Sequence, residues 1–321
     1  MSKSELWLPS GVRPTAEESF PPSVASDARR KAFYPLVVEQ PESIEILGEG
    51  IVEEALGLPD TEKVSMRIIT PFSALAGYLE EHHNTGQLVE AAYPLCPEGV
   101  NPQDHLWIAY LGSATDSRRA LAMAPETGVI DGIWRAQQNT ISRDLFETEE
   151  LEVLDEPTDQ DRQQLHELYE PTFGMDLETV DEMLEDPRMQ LIVLRAGGII
   201  ASVAAYYRTQ VQVGSIGDLR FAEVTEAATH PDHRGKGYYG MCAAAVVVMA
   251  EKDGADVIFG ECNGSDVGVH AAAKRSGRRS ARQAAHNAGL LGIEGILRSV
   301  VPISGEIRNL FPTFKVTRAI R

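Results

Sequence analysis

The stretch His230-Pro231-Asp232-His233-Arg234-Gly235-Lys236-Gly237 sets two cations and two glycines between a strand-like run, LRFAEVTEAAT, and a long apolar segment, YYGMCAAAVVVMAEKDG. A helix that starts at such a junction leaves its first backbone N–H groups without intrahelical partners, and its dipole draws anions towards them. Glycine lets the backbone approach a ligand with no Cβ in the way. The chemistry implied is the holding of a phosphate. A P-loop is excluded, because no Ser or Thr follows Lys236. The spacing Gly235-x-Gly237-x-x-Gly240 satisfies a dinucleotide fingerprint. That motif usually opens its domain, however, and here several strands and helices come first. The pyrophosphate of an acyl-CoA is the third candidate.

The third candidate is favoured by a resemblance. Residues 151–321 resemble a GNAT N-acetyltransferase domain, whose motif (R/Q)-x-x-G-x-(G/A) stands at the mouth of its longest helix. Arg234 and Gly237 match it; Tyr239 occupies the last small position, with Gly240 one place late. The resemblance implies an α/β fold with a mixed, mostly antiparallel sheet flanked by helices. It implies acetyl-CoA or another acyl-CoA as co-substrate. The backbone amides of Arg234, Gly235, Lys236, Gly237, Tyr238, Tyr239 and Gly240 would hold the pyrophosphate. The exposed backbone of Ala227, Ala228 and Thr229 would bond the pantetheine arm like an added strand. Asn263 matches an Asn that the family places near the thiol, although a helix N-cap or turn accounts for it equally well.

Acylation of an amine needs a base, because an ammonium must lose its proton before it can attack. The strand ahead of the glycines carries two acids, Glu223 and Glu226. They lie three apart and so point to opposite faces of a regular strand, unless a bulge intervenes. A carboxylate buried unpaired in an apolar strand is costly, which argues for a role for at least one of them. Pairing with Arg220 or with the C-terminal arginines is the alternative. The family's general acid is a tyrosine about four residues before a glycine. Counted back from Gly277, that place holds Ala273. His270, Tyr206, Tyr207 or water are the candidates to replace it, with a core or surface role the competing reading for His270.

The elements that must position these groups are legible in the second half of the chain. LEVLDEP reads as a strand, DRQQLHELYEPTF and LETVDEMLEDP as helices, and QLIVLRAGG with IIASVAAYYRTQ as a hairpin turning at Gly197-Gly198. The apolar segment after Gly237 is a helix closed by Gly254, ADVIFGECN a strand, DVGVHAAAKRSGRR a short helix and FKVTRAI a closing strand. Ahead of an expected boundary at residues 146–152, YPLVVEQ, KVSMRIITP and DHLWIAYLG read as strands and SALAGYLEEHH as a helix. The segment around Ile133-Trp134 is ambiguous between helix and loop. The expected organisation is a loosely ordered arm at 1–30, an additional N-terminal α+β region at 31–150 and the acyltransferase domain at 151–321.

Composition narrows the partners. The net charge is −19, yet from Lys274 onward ten Lys/Arg face two acids, Glu294 and Glu306. So acidic a chain is expected to be repelled by nucleic acid and by anionic membranes. The basic tail has three possible partners: the 3′-phosphate of CoA, the acidic N-terminal half or an acidic substrate. Solvent and a helix C-terminus compete with all three. Three scattered cysteines give neither a disulfide framework nor a zinc site, and His82-His83 reads as cations at a helix end, so no metal is expected. No apolar run is long enough to span a bilayer and no leader is visible, so a cytoplasmic protein is expected. The functional expectation is an acyl-CoA-dependent N-acyltransferase acting on a primary amine of a small molecule or peptide. The N-terminal half would form a wall of the acceptor site or a homodimer interface. The alternatives are an acyl-CoA sensor without turnover, an N-acyl amino acid synthase with a longer acyl donor and, more distantly, a Rossmann-like nucleotide binder.

Overall fold

A computed structural model describes residues 13–14, 30–37, 44–45, 63–82, 89–113, 126–136, 151–213, 216–264, 266–290, 293–300 and 307–320. The first sheet joins β1 (Arg13–Pro14), β2 (Arg30–Val37), β3 (Lys63–Pro71), β4 (Val89–Pro94) and β5 (Leu106–Ser113) in the order β1-β2-β3-β5-β4. It is accompanied by helices α1 (Phe72–His82) and α2 (Glu126–Arg135). The second sheet contains β6 (Leu151–Val153), β7 (Met189–Ala196), β8 (Ile199–Val213), β9 (Gly217–Thr229), β10 (Val257–Asn263), β11 (Arg279–Ser280), β12 (Leu297–Val300) and β13 (Ile307–Val316). Its order is β11-β13-β10-β9-β8-β7-β6, with β12 on β13. Every pairing in it is antiparallel except β9 with β10. Five helices complete it: α3 (Asp159–Phe173), α4 (Leu177–Glu185), α5 (Tyr238–Lys252), α6 (Val267–Arg275) and α7 (Ala281–Asn287).

Local chemistry explains the boundaries. Thr158 and Asp161 form a capping box that starts α3, and Gly174 ends it at φ 70°. Asp176 caps α4 by accepting from the Thr179 amide. Gly197 and Gly198, both at positive φ, make the two-residue turn of the β7–β8 hairpin. The segment around Ile133-Trp134 is a helix. The closing strand lies earlier than expected: β13 ends at Val316, and Thr317 to Ile320 run on without extended pairing. Thr313 and Phe314 face β11, so the strand is held from both sides. Most of the expected N-terminal arm, the expected boundary stretch up to residue 150 and His83 lie outside the described residues.

Two layers cover the second sheet. On one face α5 packs on Ile192, Leu194, Ala204, Ala222, Val224 and Ile258. On the other, α3 and α4 cover Leu191, Val193, Val203, Ala205 and Ala228. The rest of that second face, including Leu219, Phe221, Val257, Phe259 and Phe314, is buried against Ile69, Tyr93, Ile108 and Tyr110 of the first sheet. The halves also interlock. Ala285, Ala288, Leu290 and Ile293, from α7 and the chain after it, sit in one core with Ile68, Leu75, Trp107 and Leu111.

The basic tail is the mortar of this junction. Lys274 donates to the carbonyls of Ile133 (2.9 Å) and Trp134 (2.7 Å), and also to that of Ala136, closing the end of α2. Arg279 donates to the Cys96 carbonyl and lies 4.4 Å from the centre of the Phe314 ring. Arg282 bonds Asp131 at 3.1 Å and the Glu294 carbonyl. Of the expected partners, the N-terminal half is the one these three cations meet, chiefly through its carbonyls. Lys274→Met is expected to lower stability by about 2 kcal/mol, since a charged donor to several carbonyls is lost. Urea denaturation measures it, and an unchanged midpoint would show that α2 needs no such clamp.

Candidate active site

The glycine-rich turn leads into α5 with a bare N-terminus. Gly237 is the N-cap residue at φ 84°, and no side chain caps the helix. The first amide bonded within the helix is Met241, to the Gly237 carbonyl at 3.2 Å, so those of Tyr238, Tyr239 and Gly240 have no partner of that kind. Gly235 also has positive φ, and a Cβ at either glycine would meet nothing within 4 Å. Arg234, Gly235, Lys236 and Gly237 are exposed, whereas Gly240 is buried on the inner side of the helix. Lys236 Nζ lies 3.3 Å from His233 Nδ1, and the His233 ring stacks on Tyr238. Arg234 to Gly237 therefore form an exposed rim, with Tyr238 and Tyr239 half-buried behind it, and the open space over the glycines suits an anion.

The strands supply the second half of the site. β9 and β10 pair from Phe221↔Val257 to Val224↔Gly260 and then part. Beyond that point β10 continues on β13, and Thr225 to Thr229 keep β8 on one side only. The edge of Ala227, Ala228 and Thr229 that faces the fork is thus free of strand pairing, as addition of an extended arm requires. Arg234 folds back onto it, Nε to the Thr229 carbonyl at 3.3 Å. Asn263 ends β10, and its carbonyl lies 3.2 Å from His270 Nε2.

A bulge decides the geometry of the acids. Thr225 pairs with Ala205 and Ala228 with Val203, so Glu226 and Ala227 together face the single residue Ala204. Glu226 itself has φ 44°, which is costly for a residue with a Cβ. The Tyr169 hydroxyl, on α3, donates to its carbonyl at 2.8 Å and helps hold that conformation. The bulge reverses the alternation of the strand. Ahead of it Phe221 faces the first sheet while Ala222 and Val224 face α5; after it Ala227 faces α5 and Ala228 faces α3 and α4. Glu223 and Glu226 therefore end on the same face. Burial pushes the Glu226 carboxyl up to about 7; the Thr225 hydroxyl opposes this and the Glu223 charge reinforces it.

Glu223 has a partner that sequence reading missed. Arg67, from β3, reaches across between the sheets and places Nη2 3.5 Å from both Glu223 and Glu261. Its guanidinium lies 4.9 Å from the ring centre of Phe259 and 5.3 Å from that of Tyr110. No local signal finds it: in KVSMRIITP Arg67 falls on the same strand face as Lys63 and Ser65, a pattern that reads as solvated. The alternative pairing of the two acids with Arg220 or with the C-terminal arginines is not what is seen; Arg220 and Arg318 both engage Asp256.

The candidate acids fare differently. His270 is fully buried, takes a hydrogen bond from Trp134 Nε1 at Nδ1 (3.2 Å) and turns Nε2 to the Asn263 carbonyl. Desolvation lowers its pKa to about 4, so it is neutral and spent on packing α2 against α6. Both ring nitrogens are thus engaged at the junction of α2 and α6, as a core role for this histidine requires. Tyr206 donates to Asp253 at 2.7 Å and Tyr207 to Asp186 at 3.3 Å. Neither hydroxyl is left over. Among the described residues no group of His, Cys, Asp and Glu is placed to hold a metal, and no helix is long and apolar enough to cross a membrane.

Residues 154–261 match the family model of an acetyltransferase (GNAT) domain. Among solved structures the chain is similar to a ribosomal-protein-alanine N-acetyltransferase from Brucella melitensis, at 15% identity and TM-score 0.40, over 52% of this chain and 98% of that one. An acetyltransferase from Bacillus subtilis solved in complex with CoA is 18% identical at TM-score 0.36, over 52% of this chain and 97% of that one. The ribosomal-protein-S18-alanine N-acetyltransferase from Escherichia coli is 14% identical at TM-score 0.38, over 53% and 96%. No curated protein matches the sequence significantly.

Proposed function

We propose that the protein is an acyl-CoA-dependent N-acyltransferase, with acetyl-CoA as the first donor to try, acting on a primary amine of a small molecule or peptide by direct attack in a ternary complex. The observation that carries this reading is the fork between β9 and β10 beyond Val224 and Gly260, with the uncapped N-terminus of α5 at its mouth. The fork offers unpaired backbone to an extended arm and the helix offers unpaired amides to a pyrophosphate. Glu226 is the base. Its carboxylate takes the proton from the attacking amine, and burial sets its affinity for that proton near neutrality. Glu223 stands beside it, fixed by Arg67. Among the described residues, Glu223, Glu226 and Glu261 gather there around Arg67, a balance that favours a cationic acceptor. The N-terminal region thereby contributes part of the acceptor wall.

Cys242 and Cys262 are buried, and burial raises both thiols. A covalent route through cysteine is therefore disfavoured. A second reading, an acyl-CoA sensor without turnover, draws on Ala273 and on the sequestered His270, which leave α6 with no proton donor.

Thermal-shift titration with CoA, acetyl-CoA, palmitoyl-CoA and NAD tests the reading, because a ligand of the native state raises its apparent stability. Stabilisation by the CoA thioesters is expected, and the donor that shifts most goes into an amine screen. A shift with NAD alone would overturn the proposal, and binding without turnover on any amine would favour the sensor. Gly237→Val is expected to abolish the CoA shift, since a β-branched residue at φ 84° is strained and fills the open space above the turn.

A further inference from the structure

Resting on the acyltransferase reading, we propose that Arg278 is the group that stabilises the leaving thiolate, the part for which α6 offers only Ala273. Arg278 follows Gly277 in the turn between α6 and β11, and its side chain runs inward and is 4% exposed. Nε donates to Ser276 Oγ at 3.4 Å and Nη1 to Thr313 Oγ1 at 3.2 Å. Nη2 is buried with no partner. No carboxylate pairs with this guanidinium among the described residues. Glu261 is engaged by Arg67, and Asp266 caps α6 by accepting from the Val269 amide at 3.1 Å. A buried cation with neither a counter-ion nor a full set of acceptors is costly, and the cost is relieved when an anion arrives.

Its location says which anion. A Cβ placed on Gly260 would lie 2.7 Å from the Val224 carbonyl oxygen and 2.9 Å from Arg278 Nη1. Gly260 and Val224 are the last pair before β9 and β10 part, so the guanidinium sits at the apex of the fork. Only glycine at 260 lets it come so close. Tyr239, in the first turn of α5, lies near the same spot: burial raises its hydroxyl, and the Arg278 charge opposes that rise. Arg278 thus lies where β9 and β10 part, beneath the first turn of the helix that bears the phosphate cradle. A thioester whose pyrophosphate rests on α5 and whose arm follows β9 brings its sulfur towards this cation.

The chemistry balances with no further reagent. The amine nitrogen bonds to the carbonyl carbon, the carbon–sulfur bond breaks, and its electron pair stays on sulfur. The amine enters neutral, its ammonium proton already released to solvent; the one proton that leaves nitrogen as it bonds to carbon goes to Glu226, and the products are the amide and a thiolate. A guanidinium is permanently charged, so it holds the thiolate as an anion rather than protonating it. That removes the need for the absent tyrosine.

The test needs neither acceptor nor turnover. The ultraviolet absorbance of the CoA thiolate is titrated against pH in the complex of the full-length protein with CoA, for wild type, Arg278→Met and Arg278→Lys. Desulfo-CoA serves as a control for binding. Free CoA titrated alongside gives the reference. Bound to the wild type it is expected to ionise at least about tenfold more readily, as a cation at a few ångströms requires. The Met variant should lose the shift and the Lys variant keep part of it, while desulfo-CoA binds all three alike. An unshifted thiol in the wild type, or an equal shift in the Met variant, would overturn the proposal. Should Arg278→Met fail to fold, the wild-type and Lys titrations still decide. Failure of the wild type to bind any CoA species would instead sink the acyltransferase reading itself, and this inference with it.

Discussion

Glu226→Gln is expected to lower kcat/KM for acyl transfer by about a hundredfold to a thousandfold, the usual range for a lost general base. The wild-type rate should rise with pH through about 7, because the carboxyl is held near that value by burial and by the Glu223 charge. The variant should lose that limb. Stability should move the other way. The carboxyl titrates at about 7 when folded, against 4.5 as its ordinary value, so the native state holds the proton more tightly than the unfolded chain. Native stability therefore declines as pH rises from about 4.5 to about 7, and the charged form burdens the fold above that. Glutamine cannot ionise, so Glu226→Gln should be more stable than wild type at pH 8 and closer to it at pH 5. Activity lost together with stability gained is the signature of a functional carboxylate kept at a structural cost. A wild-type pH profile in the variant would reassign the base.

Arg67→Met is expected to cost about 3 kcal/mol, because it strands two largely buried carboxylates, Glu223 and Glu261. The loss should be mostly recovered when Glu223→Gln and Glu261→Gln are added, since a neutral set no longer needs the cation. Urea denaturation of the single and triple variants measures this. In the single variant the Glu223 charge is no longer offset, so the Glu226 limb should move to higher pH. A stable Arg67→Met protein with an unmoved limb would show that the first sheet does not reach into the chemistry.

The second sheet was legible from the residues because its signals are local. Gly197-Gly198 marks a hairpin, Gly235 and Gly237 the turn into a long apolar helix, and Gly254 the end of that helix, each within a few positions. The bulge was posed as a condition but not placed, because Glu226 and Ala227 facing one residue of β8 is a property of register, not of composition. Arg67 and Arg278 were missed for a related reason. Arg67 meets Glu223 across two sheets. Arg278 sits in a run of cations at helical spacing that reads as a solvated face, and only the turn after Gly277 shows that it points inward. His270 is the reverse case: its type suggests chemistry, while its surroundings, Trp134, Phe311 and the Asn263 carbonyl, are those of a packed side chain.

The interlocked core has a consequence for synthesis on the ribosome. Ile68, Leu75 and Trp107 are made early, but the surface that covers them includes Ala285, Ala288, Leu290 and Ile293, and Gly295 donates its amide to the Glu90 carbonyl. The first sheet cannot complete its packing before Ala285 to Ile293 are made. It waits with apolar surface uncovered until that stretch has left the exit tunnel. Domain-by-domain folding, the habit of longer chains, is closed to it. An early stop codon anywhere before α7 therefore damages the first sheet, which lies far upstream, as well as the second.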